Sequence, residues 1–344
     1  MADEMLQIRL ASRPDGRPTP QNFDLDRGPL PQPGDGEMLV RVIWLSLDPY
    51  MRGRMSAAKS YADPVEIGDV MEGAAVGEVV TSKNPDFAEG DVVTGRFGWV
   101  SHAISDGTQV QKLDPAQAPV STALGVLGMP GMTAWTGLNR IIGIKKGETV
   151  LISAATGAVG AVAGQIAKAQ GCRVIGVAGG PEKCAYAEQE LGYDVCLDHK
   201  AAQDGETLAK QIAEAAPDGI DGYFENVGGK TLMGVLPNMA VHGRIAICGM
   251  ISWYNGANMD QTMPLPKAWS TILTNRLKVE GFLVPDHWQH YPEFVSEAAP
   301  MVQDGRIKYR EDVTEGLENA PEAFIDMLEG GNFGKKLIRV GADA

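Results

Sequence analysis

The heptapeptide Ala154-Ala155-Thr156-Gly157-Ala158-Val159-Gly160 follows the apolar run Thr149-Val150-Leu151-Ile152-Ser153 and leads into a helical pattern over 161–169. A short strand that enters a small-residue turn and then a helix points several backbone N–H groups, and the positive end of a helix dipole, at one spot. Such a spot suits a pyrophosphate. The full glycine fingerprint would place Gly where Ala155 stands, so the turn taken alone also fits plain packing. A second apolar strand, 173–178, follows one helix later, as a βαβ unit requires. It ends Ala178-Gly179-Gly180 without the acidic residue that would hold a ribose 2′-hydroxyl, and Lys183 opens the next helix. A missing carboxylate beside a cation favours a 2′-phosphate, and so NADP(H). The competing reading of Lys183 is a solvated helix residue.

These residues need a scaffold, and the pattern supplies one. From about Gly143 strands and helices alternate, with strands expected at 148–153, 173–178, 193–198, 220–226, 243–249 and 279–284. Most are near-continuous apolar runs, as strands covered on both faces should be. The fold class is therefore α/β, a doubly wound parallel sheet of the Rossmann kind. Residues 1 to about 125 are rich in Gly and Pro, with short alternating runs at 38–45, 73–81 and 92–95, which reads as a small β-barrel-type domain. A helix at 320–328 and a strand at 336–340 close the chain and rejoin that first domain. The expected domains are 1–126 with 304–344, and 127–303.

Composition removes several function classes. A net charge of −14 leaves no basic surface to release counterions from nucleic acid. The uncharged run 116–139 carries Pro119, Gly125, Gly128, Pro130, Gly131 and Gly137, so it reads as a buried crossing rather than a membrane helix. The N-terminal Met1-Ala2-Asp3-Glu4 lacks the basic and apolar parts of a signal peptide, so a cytoplasmic protein is expected. Cys172, Cys184, Cys196 and Cys248 contain no CxxC pair, and His102, His199, His242, His287 and His290 show no catalytic zinc spacing. No metal is expected.

Several longer motifs resemble the medium-chain dehydrogenase/reductase superfamily in its zinc-free leukotriene hydroxydehydrogenase and prostaglandin reductase branch. They are Leu47-Asp48-Pro49-Tyr50-Met51-Arg52, Gly128-Met129-Pro130-Gly131-Met132-Thr133-Ala134, the turn at 154–160, Glu225-Asn226-Val227-Gly228-Gly229, Cys248-Gly249-Met250-Ile251-Ser252-Trp253-Tyr254-Asn255 and Asn332-Phe333-Gly334-Lys335. Leu10-Ala11-Ser12-Arg13-Pro14 and the stretch 192–199 look most like the bacterial NADPH-dependent curcumin reductases. The resemblance implies a GroES-like catalytic domain beside the Rossmann domain, a homodimer, and NADPH contacts. These contacts fall on Gly157, Ala158, Val159, Gly160, Gly179, Lys183, His199, Asn226, Cys248, Gly249, Met250, Ile251, Ser252, Tyr254, Phe282, Leu283, Val284 and Asn332. His199 stands where several animal relatives have a Tyr. Read from the residues alone, Phe282-Leu283-Val284 fits core packing as well as carboxamide pairing, and Asn332 fits a turn.

The activity so implied is NADPH-dependent reduction of the C=C bond of enones, curcumin-like or other conjugated ketones and aldehydes. Hydride at the β-carbon leaves charge on an enolate oxygen, and a placed donor stabilises it without a metal. A Tyr hydroxyl suits this, since its ordinary pKa near 10 keeps it protonated at neutral pH. Tyr254 is the first choice, with Tyr50 and Tyr61 as alternatives. Two rival functions remain: a quinone reductase or hydroxy-oxidising dehydrogenase on the same scaffold, and a non-enzymatic NADPH-binding regulator.

Overall fold

Residues 4–257, 259, 260 and 262–343 are described by the computed structural model. The chain divides into two units, Met1–Gly125 with Glu311–Ala344, and Val126–Arg310.

In the first unit β1 (Glu4–Leu10) and β2 (Phe23–Pro29) form an antiparallel pair. β3 (Met38–Ser46) is followed by a single helical turn, α1 (Met51–Arg54), and then by β4 (Ala75–Ser82), β5 (Val92–Gly95), β6 (His102–Ser105) and β7 (Gln111–Leu113). The apolar alternation of β3, β4 and β5 puts Met38, Val40, Val79 and Val93 into one buried cluster.

The second unit begins with α2 (Met129–Thr136). It continues as β8 (Thr149–Ser153), α3 (Gly160–Ala169), β9 (Arg173–Ala178), α4 (Pro181–Gln189), β10 (Val195–Asp198), α5 (Gly205–Ala215), β11 (Ile220–Glu225), α6 (Gly229–Val235), β12 (Met239–Ile247), α7 (Leu265–Asn275), β13 (Lys278–Gly281) and α8 (Tyr291–Gln303). The six strands pair in parallel in the order β10-β9-β8-β11-β12-β13. Val150, Ile152, Val174 and Phe224 pack on one face with Val162 and Ile166 of α3. Their neighbours Leu151, Ile175, Val177 and Tyr223 pack on the other with Leu208 and Ile212 of α5. Two covered faces explain why these strands read as unbroken apolar runs.

The chain then returns to the first unit with β14 (Glu311–Glu315), α9 (Ala320–Leu328) and β15 (Lys335–Arg339). β15 runs antiparallel to β3, completing the order β14-β15-β3-β4-β5-β7, with β6 also paired to β3.

Two expectations need correction. The sixth parallel strand stops at Gly281, not at residue 284, because Phe282 and Val284 turn into the core and Pro285 lacks the N–H a ladder requires. The return to the first unit comes at Glu311 rather than 304. Ile307 is buried in the second unit, and Lys308 is held by both ends of the Gln165 amide, at 2.7 Å each.

Candidate active site

The turn after β8 is tight. Ala154 takes a left-handed φ of 51°, and its carbonyl accepts from Gly157 N at 2.9 Å. A Cβ on Gly160 would lie 2.2 Å from that carbonyl oxygen, so only glycine brings α3 this close. No side chain caps the N-terminus of α3, and Ala158 and Val159 are half-buried beside it. Tyr193 is fully enclosed and donates from its hydroxyl to Gly160 O at 2.7 Å, bracing the turn from behind. The cradle fits a pyrophosphate, because both its shape and its helix dipole favour an anion.

Beyond β9, Gly180 adopts φ 100° and gives its N–H to Asp198 Oδ1 at 2.7 Å. Asp198 also takes the Lys200 N–H at 2.8 Å. The edge of Gly179 is covered by His199 and Lys200, whose Nε2 and Cε lie 3.0 and 3.1 Å from where its Cβ would stand. Lys183 occupies the first turn of α4, as expected. His199 is held below its ordinary pKa by burial first, then by the positive charges of Lys230, Lys200 and Lys183, against the pull of Asp198. Lys230, Lys200 and Lys183 all act on this one imidazole, in a chain of net charge −14, and a local excess of cations of this kind suits a 2′-phosphate. Lys200 and Lys230 escaped the sequence reading, since only the tertiary fold carries them to Lys183.

At the centre of the sheet Ser153, Glu225 and Asn226 form a polar knot. Asn226 N donates to Ser153 Oγ and its side-chain amide to Ser153 O, each at 2.8 Å. Ser153 Oγ donates to Glu225 Oε1 at 3.1 Å, and that oxygen also accepts from Val227 N at 2.6 Å and Gly228 N at 3.0 Å. Burial pushes the Glu225 carboxyl above its ordinary pKa while these N–H groups pull it back. The knot fixes Asn226 at the point where the strand order reverses, between β8 and β11, where open α/β sheets hold ligands. Neither Ser153 nor Glu225 was singled out from sequence; the available signal was a polar residue at the end of each apolar strand.

The segment after β12 is stitched to the same loop. Cys248 N and Gly249 N donate to Glu225 O at 2.9 and 3.1 Å, Ile251 N to Asn226 O at 3.2 Å, and Ser252 N to Val227 O at 3.0 Å. A Cβ on Gly249 would sit 2.9 Å from the Tyr254 hydroxyl, which accepts the Met250 N–H at 3.3 Å. Gly157, Ala158, Val159, Gly160, Gly179, Lys183, His199, Asn226, the 248–252 segment and Tyr254 therefore share the C-terminal edge of one sheet. Phe282 and Val284 point into the core, with Phe282 edge-on to Phe224 at 6.2 Å, so only their backbone and half-buried Leu283 face that edge.

Tyr50 and Asn332 belong to the first unit. Tyr50 opens α1, and its hydroxyl is pushed well above its ordinary pKa by burial and by the charges of Asp48 and Glu72. Tyr61 is 57% exposed, with Arg54 stacked over its ring at 4.5 Å. Asn332 turns its amide to Gly334 O at 2.8 Å, the local turn contact its position suggested. Among the described residues no group of three or more His, Cys, Asp or Glu could hold a metal ion.

A doubly wound sheet with a phosphate turn and a lysine cluster at its edge, joined in one chain to a mostly antiparallel β unit, fits a nicotinamide-dependent oxidoreductase. Residues 6–113 match the family described as the N-terminal domain of oxidoreductase, and residues 158–299 match that described as zinc-binding dehydrogenase. The chain is 49% identical over 336 residues to the NADPH-dependent curcumin reductase of Escherichia coli (strain K12), covering 97% of this chain and 96% of that protein. It is 42% identical over 312 residues to the NADP(+)-dependent 2-alkenal reductase of Nicotiana tabacum, covering 90% and 89%. The crystal structure of CurA in complex with NADPH from Vibrio vulnificus aligns with a TM-score of 0.92 at 47% identity, over 98% of this chain and 100% of that one. The chain belongs to the medium-chain dehydrogenase/reductase superfamily, in the branch of the curcumin, 2-alkenal and prostaglandin reductases.

Proposed function

We infer that the chain reduces the C=C bond of α,β-unsaturated ketones and aldehydes with NADPH. The observation that carries this is the near-full-length likeness to NADPH-dependent curcumin and 2-alkenal reductases. When bound, NADPH supplies hydride to the β-carbon of the enone. The residues of this chain bind and orient. The turn at Gly157–Gly160 takes the pyrophosphate, and Lys183 with Lys200, Lys230 and His199 takes the 2′-phosphate. Asn226, the 248–252 segment and the backbone of 282–284 line the nicotinamide end; Asn332, in the first unit, is proposed as a cofactor contact on the resemblance alone.

Tyr254 is assigned the donor role toward the enolate oxygen. Its oxygen accepts the Met250 N–H, which polarises the phenol and strengthens it as a donor. Tyr50, kept protonated by burial and by the charges of Asp48 and Glu72, is the alternative donor.

The assembly proposed is a homodimer. β13 is an edge strand, and α7, packed against the neighbouring β12, buries none of its residues, leaving Leu265, Trp269 and Leu273 between 60% and 76% exposed. Among the described residues no helix is long and apolar enough to cross a membrane, and the four cysteines are free. Free thiols suit a reducing compartment, and we place the protein in the cytoplasm on that ground.

The test is a panel of enones, enals, quinones and alcohols, with NADPH or NADP(+) absorbance as the readout. Consumption of NADPH with enones and enals, giving the saturated carbonyl, is expected. Turnover of quinones or alcohols alone would establish one rival, and cofactor binding with no turnover the other.

A further inference from the structure

Cys184 and Cys196 are buried in one core cluster, and each thiol perturbs the other's ionisation more than any other group does. Cys184 lies in the first turn of α4, immediately after Lys183, and Cys196 lies in β10. One helical turn beyond Cys184, Glu188 accepts the Cys196 N–H at 2.7 Å, so the α4 face bearing both residues is seated on β10 at Cys196. On the neighbouring strand Gly176 leaves the space open; a Cβ there would come 3.1 Å from Cys196 Sγ.

We propose that Cys184 and Cys196 form an oxidisable dithiol, and that its closure to a disulfide weakens NADPH binding. The second half of this proposal rests on the assignment of Lys183 and its neighbours to the 2′-phosphate. The oxidant is a peroxide. The Cys184 thiolate attacks one peroxide oxygen, breaking the O–O bond, to give a sulfenic acid and one water. The Cys196 sulfur then attacks the Cys184 sulfur and displaces the hydroxyl as a second water. Two thiols are oxidised by two electrons and the peroxide is reduced by two.

The roles follow from the contacts. Cys184 stands in the first turn of α4, where the helix dipole favours a thiolate, and its neighbour Cys196 also holds it below its ordinary pKa, while burial raises Cys172 and pushes Cys248 up to about 12. Cys184 is thus the more reactive sulfur. A disulfide spans about 2.05 Å, far shorter than the approach of two unbonded thiols, so closure draws the first turn of α4 toward β10. Lys183 moves with that turn. Two residues past Cys196, Asp198 holds both Gly180 N and Lys200 N, so both sides of the phosphate site are strained together.

The full-length reduced protein is treated with hydrogen peroxide without cofactor, digested under non-reducing conditions and analysed by mass spectrometry, and NADPH affinity is measured in parallel. A peptide linking Cys184 to Cys196 is expected, with a rise of about tenfold in NADPH Kd, the loss of one charge-assisted contact. Dithiothreitol should reverse both. Cys184→Ser and Cys196→Ser should each keep the NADPH Kd of the reduced protein and lose the response. Absence of the linked peptide would overturn the proposal, as would linkage with unchanged Kd. A response that survives in Cys184→Ser would assign the effect to another thiol and also overturn it. An unchanged NADPH Kd in reduced Lys183→Ala would remove the underlying assignment instead, a result independent of whether the sulfurs join.

Discussion

Lys335 Nζ lies 2.7 Å from Asp48 Oδ1 and 2.8 Å from Leu47 O, with both charged side chains at least 94% buried. The hydroxyl of Ser46 closes on the other carboxylate oxygen. Two motifs 287 residues apart are therefore one device, which fixes the segment leading into Tyr50. Asp48 O accepts the Met51 N–H at 3.1 Å and so starts the turn that carries the phenol. Breaking a buried pair from one side costs about 3–5 kcal/mol, because the remaining charge is left uncompensated. Lys335→Met should lower stability by that order in a denaturant titration. Asp48→Asn removes a negative charge that keeps Tyr50 protonated, so its phenol should ionise at lower pH in an alkaline ultraviolet titration.

The lysine cluster predicts both cofactor choice and its pH dependence. Lys183→Ala should weaken NADPH by about tenfold, the low end for a charge-assisted contact, because in the proposed site Lys200 and Lys230 would share the phosphate. NADH should be little affected. In the free protein His199 is held neutral by burial and by the lysine charges. A bound 2′-phosphate offsets those charges and raises its pKa, so binding takes up a proton. NADPH affinity should then rise as pH falls from about 8 toward 6, and the slope should be smaller in His199→Gln. Cofactor titrations across that range, with NADH as control, measure it. Equal slopes in both proteins would remove His199 from the site.

Ala155 is where the glycine fingerprint breaks, and Gly176 is what accommodates it. The Ala155 methyl is fully buried, and a Cβ on Gly176 would lie 2.9 Å from it, 2.9 Å from the Tyr193 ring and 3.1 Å from Cys196 Sγ. The space that a first-strand glycine would have left is supplied by the adjacent strand. Gly176→Ala should cost about 1–3 kcal/mol by overpacking and lower the melting temperature. Gly176→Ala combined with Ala155→Gly should recover part of the loss. Absence of any recovery would mean that Tyr193 and Cys196, not Ala155, set the fit.

That exchange marks the limit of what the sequence discloses. The parallel strands were legible because burial on both faces leaves long apolar runs. The short half-exposed strands β6, β7 and β14 were not, since their alternation is weak and their pairing long-range. Lys183 was legible because its place after Gly179-Gly180 is local. Ser153, Glu225, Lys200, Lys230 and Tyr193 reach the site only through contacts between separate strands and helices. The end of the sixth strand was misplaced because Phe282 and Val284 look like strand residues when they are core residues of a turn.

The exposed face of α7 predicts the assembly. Leu273 is 76% exposed and Trp269 60% exposed, one turn apart on the same helix. Leu273→Glu would place a charge at the centre of a dimer contact on this face, where desolvation penalises it. Analytical ultracentrifugation should show a dimer for the parent chain and a shift toward monomer for the variant, with the melting temperature of each protomer little changed. A parent chain that sediments as a monomer at micromolar concentration would remove the proposal.

Tyr254→Phe tests the chemistry most directly. The substitution keeps the ring that packs near Gly249 and removes only the hydroxyl that accepts from Met250 N. Losing a dedicated oxyanion donor costs about 2.7–4 kcal/mol, or roughly a hundred- to a thousandfold in kcat. A ribose hydroxyl of the cofactor can share the task, so a fall near or somewhat below the lower figure is expected. NADPH affinity should change little, because the proposed phosphate contacts lie on the other strands of the sheet. An isotope effect with deuterated NADPH establishes whether hydride transfer limits the rate. With chemistry limiting and kcat unchanged, Tyr254 would leave the mechanism, and the same measurement on Tyr50→Phe would decide whether the donor comes from the first unit.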